Sequence, residues 1–274
     1  MSTVPIQVDQ VLFVTYIPVA AMVLILWDHC LTFSEEVATM WGPLNERILT
    51  KAVYLLNRYF TEAVLIYRIY VTSQVLITNE TTGWLTAISA VVIASVSQFY
   101  IMMRVYRLWD HRQSVRRALL AVFGICITAA VILSTLTALS YTETKGESQG
   151  ICPIESVPVT LPCAIGTLLF FNVFVILITI YNTLEKPRRF ENEMLDSLRQ
   201  DGARIYVAVC MLWLLLLVTS VTIEATAFVS LFALVCPLNA NIVARVHLRV
   251  ESLRLLAPMG PVTIYQGSVK GRYS

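Results

Sequence analysis

Apolar residues fall along this chain in seven long runs, at about 10–28, 50–71, 84–107, 118–140, 158–182, 203–223 and 225–247. Each is close to the ~20 residues that a helix needs to cross a ~30 Å hydrocarbon core. The segments between them reach twenty-odd residues, which leaves no room for a soluble domain of ordinary size. The pattern predicts an all-α protein, an integral membrane seven-helix bundle over residues 1–248, with a short tail over 249–274. The join of the last two runs is the hardest to place. From Arg204 to Arg245 the one charge is Glu224, and neither Gly nor Pro marks where the chain turns. A single helix of that length would measure ~60 Å, twice the hydrocarbon core. Two spans joined at Thr222–Thr226 are therefore expected.

Composition agrees with this reading. A chain that is 57% hydrophobic and 14% charged lies outside the range of soluble globular proteins. Residues 1–10 hold no Lys or Arg and no small-residue cleavage site follows, so the first run reads as a retained span rather than a cleaved signal. A net charge of +2 with no basic patch interleaved with aromatics excludes nucleic acid as a partner.

The cations set an orientation. Arg104, Arg107, Arg112, Arg116 and Arg117 lie between runs three and four, and Lys186, Arg188, Arg189 and Arg199 between five and six. Arg249, Arg254, Lys270 and Arg272 follow run seven, whereas 72–83 and 141–157 hold Lys145 alone. An even number of crossings relates the basic segments, so the positive-inside rule makes them cytoplasmic, with the N-terminus outside and the C-terminus inside. Asn79-Glu80-Thr81 is an N-glycosylation sequon in an outer segment. A plasma membrane or secretory-pathway membrane is the expected location.

Three segments beside the membrane read as amphipathic helices. Thr32 followed by Glu35 resembles a capping box, after which Phe33, Val37, Met40 and Trp41 form an apolar stripe with Glu35 and Glu36 opposite, ending at Gly42-Pro43. Phe190, Met194, Leu195 and Leu198 repeat the device, with Gly202 separating them from run six. Leu248, Leu253, Leu255 and Leu256 suggest a third. Such helices anchor the bundle on the bilayer or dock a partner.

The second run carries the strongest chemical signal. Lys51, Arg58 and Glu62 lie on one stripe at 100° per residue, flanked by Asn57, Thr61 and Arg68. A charge at the bilayer centre costs ~2.5–3.5 kcal/mol, so these groups should turn inward and pair. Arg58 and Glu62 stand at i, i+4, within reach of each other. The cluster of Asn57, Arg58, Glu62 and Arg68 is thus a ligand or ion site, or an internal pair that fixes packing. Gln98, Asn172, Asn239 and Asn241 read as interhelical hydrogen-bonding residues, and Pro237 as a kink.

Cys152 and Cys163 both fall on the outer side and are candidates for a disulfide. His29, His111 and His247 fall near cytoplasmic ends with unrelated spacing, so no metal site and no cofactor is expected. No H-E-x-x-H, G-x-S-x-G or Walker pattern occurs, and run seven has no Lys for a retinal Schiff base. The chain is not expected to be an enzyme.

The block Asp28-x-x-Leu31-Thr32-Phe33-x-x-Glu36-Val37-x-x-x-Trp41, followed by Leu56-Asn57-Arg58-Tyr59, resembles the N-terminal signature of a large family of mushroom-type fungal membrane proteins known as a domain of unknown function. Arg104-Val105-Tyr106 and Leu198-Arg199-Gln200-Asp201-Gly202 extend the likeness. It implies a basidiomycete source and seven spans, and no activity. The plan also resembles a G-protein-coupled receptor, but Met103 precedes Arg104 and run seven reads Cys236-Pro237-Leu238-Asn239, so that likeness is architectural.

The leading expectation is a receptor-like sensor in the lipid bilayer. An unidentified ligand would enter a cavity in the bundle, and loops 104–117 and 183–202 would contact a cytoplasmic signalling partner. The alternative is a small transporter or channel that uses Arg58 and Glu62; a membrane-embedded enzyme ranks third.

Overall fold

The structure, a computed structural model, describes residues 8–41, 48–73, 80–108, 113–147, 157–185 and 193–256. These form seven helices: α1 (Val8–Met40), α2 (Ile48–Ser73), α3 (Glu80–Leu108), α4 (Gln113–Glu147), α5 (Thr160–Glu185), α6 (Glu193–Thr222) and α7 (Ala225–Leu256). Six of them, all but α2, are long and apolar enough to cross a membrane. Lys51, Arg58, Glu62 and Arg68 are what lower the hydropathy of α2. Neighbouring helices pack in sequence order into a closed ring, α1 returning onto α7, with α3 also meeting α7 and α5 across it.

Every expected run is a helix, and the difficult join falls where it was expected. α6 stops at Thr222 and α7 starts at Ala225. The Ile223 amide donates back to the Thr219 carbonyl at 3.1 Å, and the Phe228 amide donates to the Glu224 carbonyl at 2.9 Å. The turn therefore leaves few orphan groups, which is what lets it form without Gly or Pro. α7 continues through Pro237, whose ring removes the donor that the Ala233 carbonyl would otherwise accept.

The three membrane-surface helices are corrected. None is separate among the described residues: α1 runs unbroken through Thr32, α6 through Gly202, and α7 to Leu256, past the 248/249 boundary. Thr32 is not an N-cap. Its hydroxyl bonds back to the Asp28 carbonyl at 2.9 Å inside α1, as a mid-helix Thr does. The stripe is also divided: Phe33, Val37 and Trp41 are exposed and Met40 is buried, while of the two acids Glu35 is exposed and Glu36 is completely buried. In a membrane the exposed apolar face meets lipid, so the acid is the residue that must find protein. Likewise, most of 104–117 and 193–202 belongs to helices; 109–112 and 186–192 lie outside the described residues.

The interior has two parts of different character. Among α3, α4, α5, α6 and α7 it is apolar, built around Phe171, Val209, Trp213, Leu216 and Phe228. Between α1, α2 and α7 the apolar clusters are small and polar groups fill the space. Packing rather than transfer from water holds the apolar part, because lipid is as apolar as the core. Phe171 is wholly buried and meets Phe123 edge-on at 5.6 Å, while its neighbour Phe170 is 61% exposed. Phe171→Ala should therefore cost about 2 kcal/mol, the cavity term alone. Phe170→Ala should be nearly neutral. Thermal unfolding of both variants in lipid nanodiscs checks the difference.

Candidate functional site: a buried ion network between α1, α2 and α7

Two stripes with a four-residue step face each other. On α1, Asp28, Thr32 and Glu36 share a face with His29 beside them; on α2, Tyr54, Arg58 and Glu62 do the same. The helices run antiparallel, so each step down α1 meets a step up α2. At one end the Tyr54 hydroxyl donates to Glu36 Oε2 at 2.9 Å. In the middle Arg58 Nη2 donates to Thr32 Oγ1 at 2.7 Å, and Thr32 in turn donates to the Asp28 carbonyl. At the other end His29 Nδ1 lies 2.7 Å from Glu62 Oε1.

Glu36 is the hub. Tyr59 donates to its Oε1 at 2.6 Å, and its Oε2, besides Tyr54, has His29 Nε2 at 3.4 Å and Arg58 Nε at 3.7 Å. Arg58 is 3% exposed and also reaches Asp28 Oδ2 at 3.7 Å and Glu62 Oε1 at 3.8 Å. The expected Arg58–Glu62 pair is thus one contact of several. The second carboxylate absent from the local sequence comes from α1, as Glu36, and a third as Asp28. Arg245 of α7 closes the set on Asp28 Oδ1.

Asn57 ties this network to the rest of the bundle. Its amide donates to the Ala240 carbonyl of α7 at 2.8 Å, and its carbonyl oxygen accepts from Ser97 of α3 at 2.7 Å. Below it, His247 of α7 stacks on Tyr100 at 4.4 Å and stands edge-on to Tyr54. Gln98 links α3 to α5 through the Leu168 carbonyl, but Asn172 bonds that same carbonyl within its own helix rather than across an interface.

Other expected residues are placed apart. Arg68 lies ten residues up α2 from Arg58, about 15 Å along the axis, where it lines a cleft of about 30 Å³ with Ser89, Phe232 and Cys236. Leu31 and Trp41 of the signature are exposed on the outer face of the bundle. Cys163 is exposed with a free thiol, while Cys152 and Asn79 lie outside the described residues. Among the described residues no group of three or more His, Cys, Asp or Glu is arranged to hold a metal ion.

Sequence reasoning missed Asp28, His29, Glu36, Tyr54 and Arg245 as parts of one site. The available signal was the matching four-residue step on α1 and α2. It was hidden because Glu36 was assigned to a solvated face.

Glu36→Ala leaves Arg58 buried without its central counter-charge and should cost about 3–5 kcal/mol. The expected outcome is loss of monodisperse protein on size exclusion, with Glu35→Ala, at a solvent-facing position, near wild type. Exchanging the pair, Arg58→Glu with Glu62→Arg, should fail to restore the stability lost in either single variant. A Glu at position 58 would stand against Glu36 and Asp28. Recovery in thermal unfolding would show that the local pair, not the network, matters.

Residues 16–61 match the model of a family described as "Family of unknown function (DUF6533)". That stretch contains both polar stripes except Glu62. Comparison with curated proteins and with solved structures gives no match. The chain is a multi-pass membrane protein of unknown function, similar to that family over the α1–α2 hairpin.

Proposed function

We propose that the protein is a receptor-like sensor with seven spans, its N-terminus outside and its C-terminus cytoplasmic, in the plasma membrane or a secretory-pathway membrane. α2 serves as the seventh span. Its charges are turned inward onto α1 and α7 partners, and the helices on either side of it, α1 and α3, are apolar enough to span. The buried network then lies toward the cytoplasmic end, where α1 and α7 finish and the basic segments gather.

The observation that carries this reading is the network of Asp28, Glu36, Arg58, Glu62 and Arg245 across three helices. Buried ion pairs are poor glue compared with well-packed apolar side chains, and their best-attested use is to choose between arrangements. A network that binds α1 and α2 to α7 acts as a latch. Its release would move helix ends beside segments 104–117 and 183–202, which present the change to a partner. The cleft beside Arg68 is an unfilled part of the interior, and a ligand cavity would form by widening it. At about 30 Å³ it is closed to anything larger than a water molecule or two.

Nucleotide exchange on purified heterotrimeric G proteins tests the coupled form. The resemblance to mushroom-type fungal proteins makes G proteins of such fungi the first to use. Wild-type protein in sealed proteoliposomes should show little basal exchange, and the latch variant Arg58→Gln should raise it several-fold. Activity should follow the fraction of molecules whose C-terminal tail is cleavable from the side on which the G protein is added. No exchange with wild type or variant, under any extract supplied as ligand, would overturn this form of the proposal.

A further inference from the structure

α7 packs against α1, α2, α3 and α6, so the sector it leaves to lipid lies between α1 and α6. Among residues 227–252 of that helix two are exposed, and both are cations: Arg245 and Arg249. They stand at i, i+4, one turn apart on the same face. The exposed positions of the other spanning helices include long rows of Leu, Ile and Val, as contact with acyl chains requires.

The two arginines lie at a defined depth. Ala225–Ala244 is a run of 20 residues without a charged side chain. That is about 30 Å of helix, the thickness of the hydrocarbon core. Arg245 is the first residue past it. On α1, residues 10–27 are likewise uncharged, and Asp28, the partner of Arg245, is the first charge after them. Trp27 beside it is 68% exposed, and a lipid-facing Trp belongs at headgroup level. Three markers therefore put Arg245 where the lipid phosphates are.

The pair with Asp28 engages Arg245 Nη2, whereas a guanidinium carries five N–H donors. The side chain is 51% exposed, so donors remain toward the outside. At the edge of the hydrocarbon the acceptors at hand are phosphate oxygens, and the planar fork of Arg takes two of them at once. Arg249 adds a second cation one turn further on. Two arginines favour a headgroup with net negative charge, because a zwitterionic one brings a cation of its own that they repel. Toward the bilayer centre the same strip of α7 continues as half-buried Leu238 and Ile242, and Leu24, one turn before Asp28 on α1, is exposed. That apolar track suits acyl chains, which a free phosphate ion lacks.

We propose that Arg245 and Arg249 form a binding site for an anionic phospholipid, drawn from the leaflet that holds the C-terminal ends of α1 and α7. Its phosphate lies on the two guanidinium groups and its acyl chains along Leu238, Ile242 and Leu24. Bound lipid completes the ion network from outside: Asp28 holds one edge of Arg245 and phosphate the other, which strengthens the α1–α7 seam. The site requires neither coupling to a partner nor a particular orientation in the membrane, so its failure and that of the exchange assay are distinguishable.

The test is native mass spectrometry of the full chain, released from micelles that contain phosphatidylglycerol and phosphatidylcholine with matched acyl chains in equal amounts. Wild type should retain phosphatidylglycerol in strong excess. Arg249→Gln should reduce that excess about five-fold, the factor that ~1 kcal/mol per basic residue near an anionic surface gives. Arg245→Lys keeps a charge for Asp28 but loses the fork, and should reduce it as well. If that variant does not fold, Arg249→Gln alone carries the test. Arg117→Gln removes an exposed cation from the start of α4, which packs on α3 and α5, and should leave the excess unchanged. Wild type should melt at a higher temperature in phosphatidylglycerol nanodiscs than in phosphatidylcholine nanodiscs, and Arg249→Gln should show a smaller difference. Equal retention of the two lipids overturns the proposal, as does an equal loss in Arg117→Gln. Displacement of the lipid by excess glycerol phosphate would reveal a site for free phosphate and overturn it too.

Discussion

Burial of the Glu36 carboxylate is the constraint on which the α1–α2–α7 half of the bundle depends. A carboxylate with no exposed surface needs both oxygens hydrogen-bonded and its charge compensated, or it does not stay ionised there. Tyr54 and Tyr59 supply the hydrogen bonds and Arg58 the charge, and all three lie on the same two turns of α2. Serving Glu36 therefore fixes both the rotation of α2 and its register against α1. A slip of one residue on either helix would turn these donors away from the acid. Arg58 then brings its own requirement, which Asp28 and Glu62 meet in part, and Asp28 passes it on to Arg245 of α7. One buried charge thus orders three helices.

The other half of the molecule is assembled on a different principle. Its interior of Phe171, Val209, Trp213 and Leu216 is mainly apolar and holds no charged network. Shape, with a few hydrogen bonds such as that from Gln98 to the Leu168 carbonyl, selects the arrangement, and lipid competes on equal terms for each apolar side chain. Asn57 is the joint between the halves, because one amide group holds α7 and α3 at once. The two halves are thus held by different kinds of interaction, one largely apolar and one ionic.

The helices were legible because hydrophobic runs of membrane-spanning length have few other meanings. Even the Thr222–Ala225 turn could be placed, since the alternative helix was too long for a bilayer. Arg58 and Glu62 could be singled out because a charge inside a span is expensive wherever it points. Glu36 could not be, for a reason of the same kind. It lies beyond the expected end of the first span, where an acid beside Phe33 and Val37 has the ordinary reading of a solvated face. Only the extension of α1 to Met40, and its contact with α2 and α7, shows that Glu36 faces protein rather than solvent. Arg245 was hidden differently, by a separation of 217 positions along the chain from Asp28. Periodicity reports the face of one helix and carries no information on which distant helix will cover it.

The segment that matches the family model, residues 16–61, is by itself an incomplete structure. It contains Asp28, Glu36, Asn57 and Arg58, yet the closer of the two cations on Asp28 is on α7 and the acceptor of Asn57 is the Ala240 carbonyl, 183 residues away. The freestanding hairpin would carry Asp28, Glu36 and Arg58 in a membrane with an acid left over and an amide donor unused. Neither deficit is tolerable without water. A chain that carries this hairpin therefore needs further helices that offer a cation and an unused acceptor at matching depth.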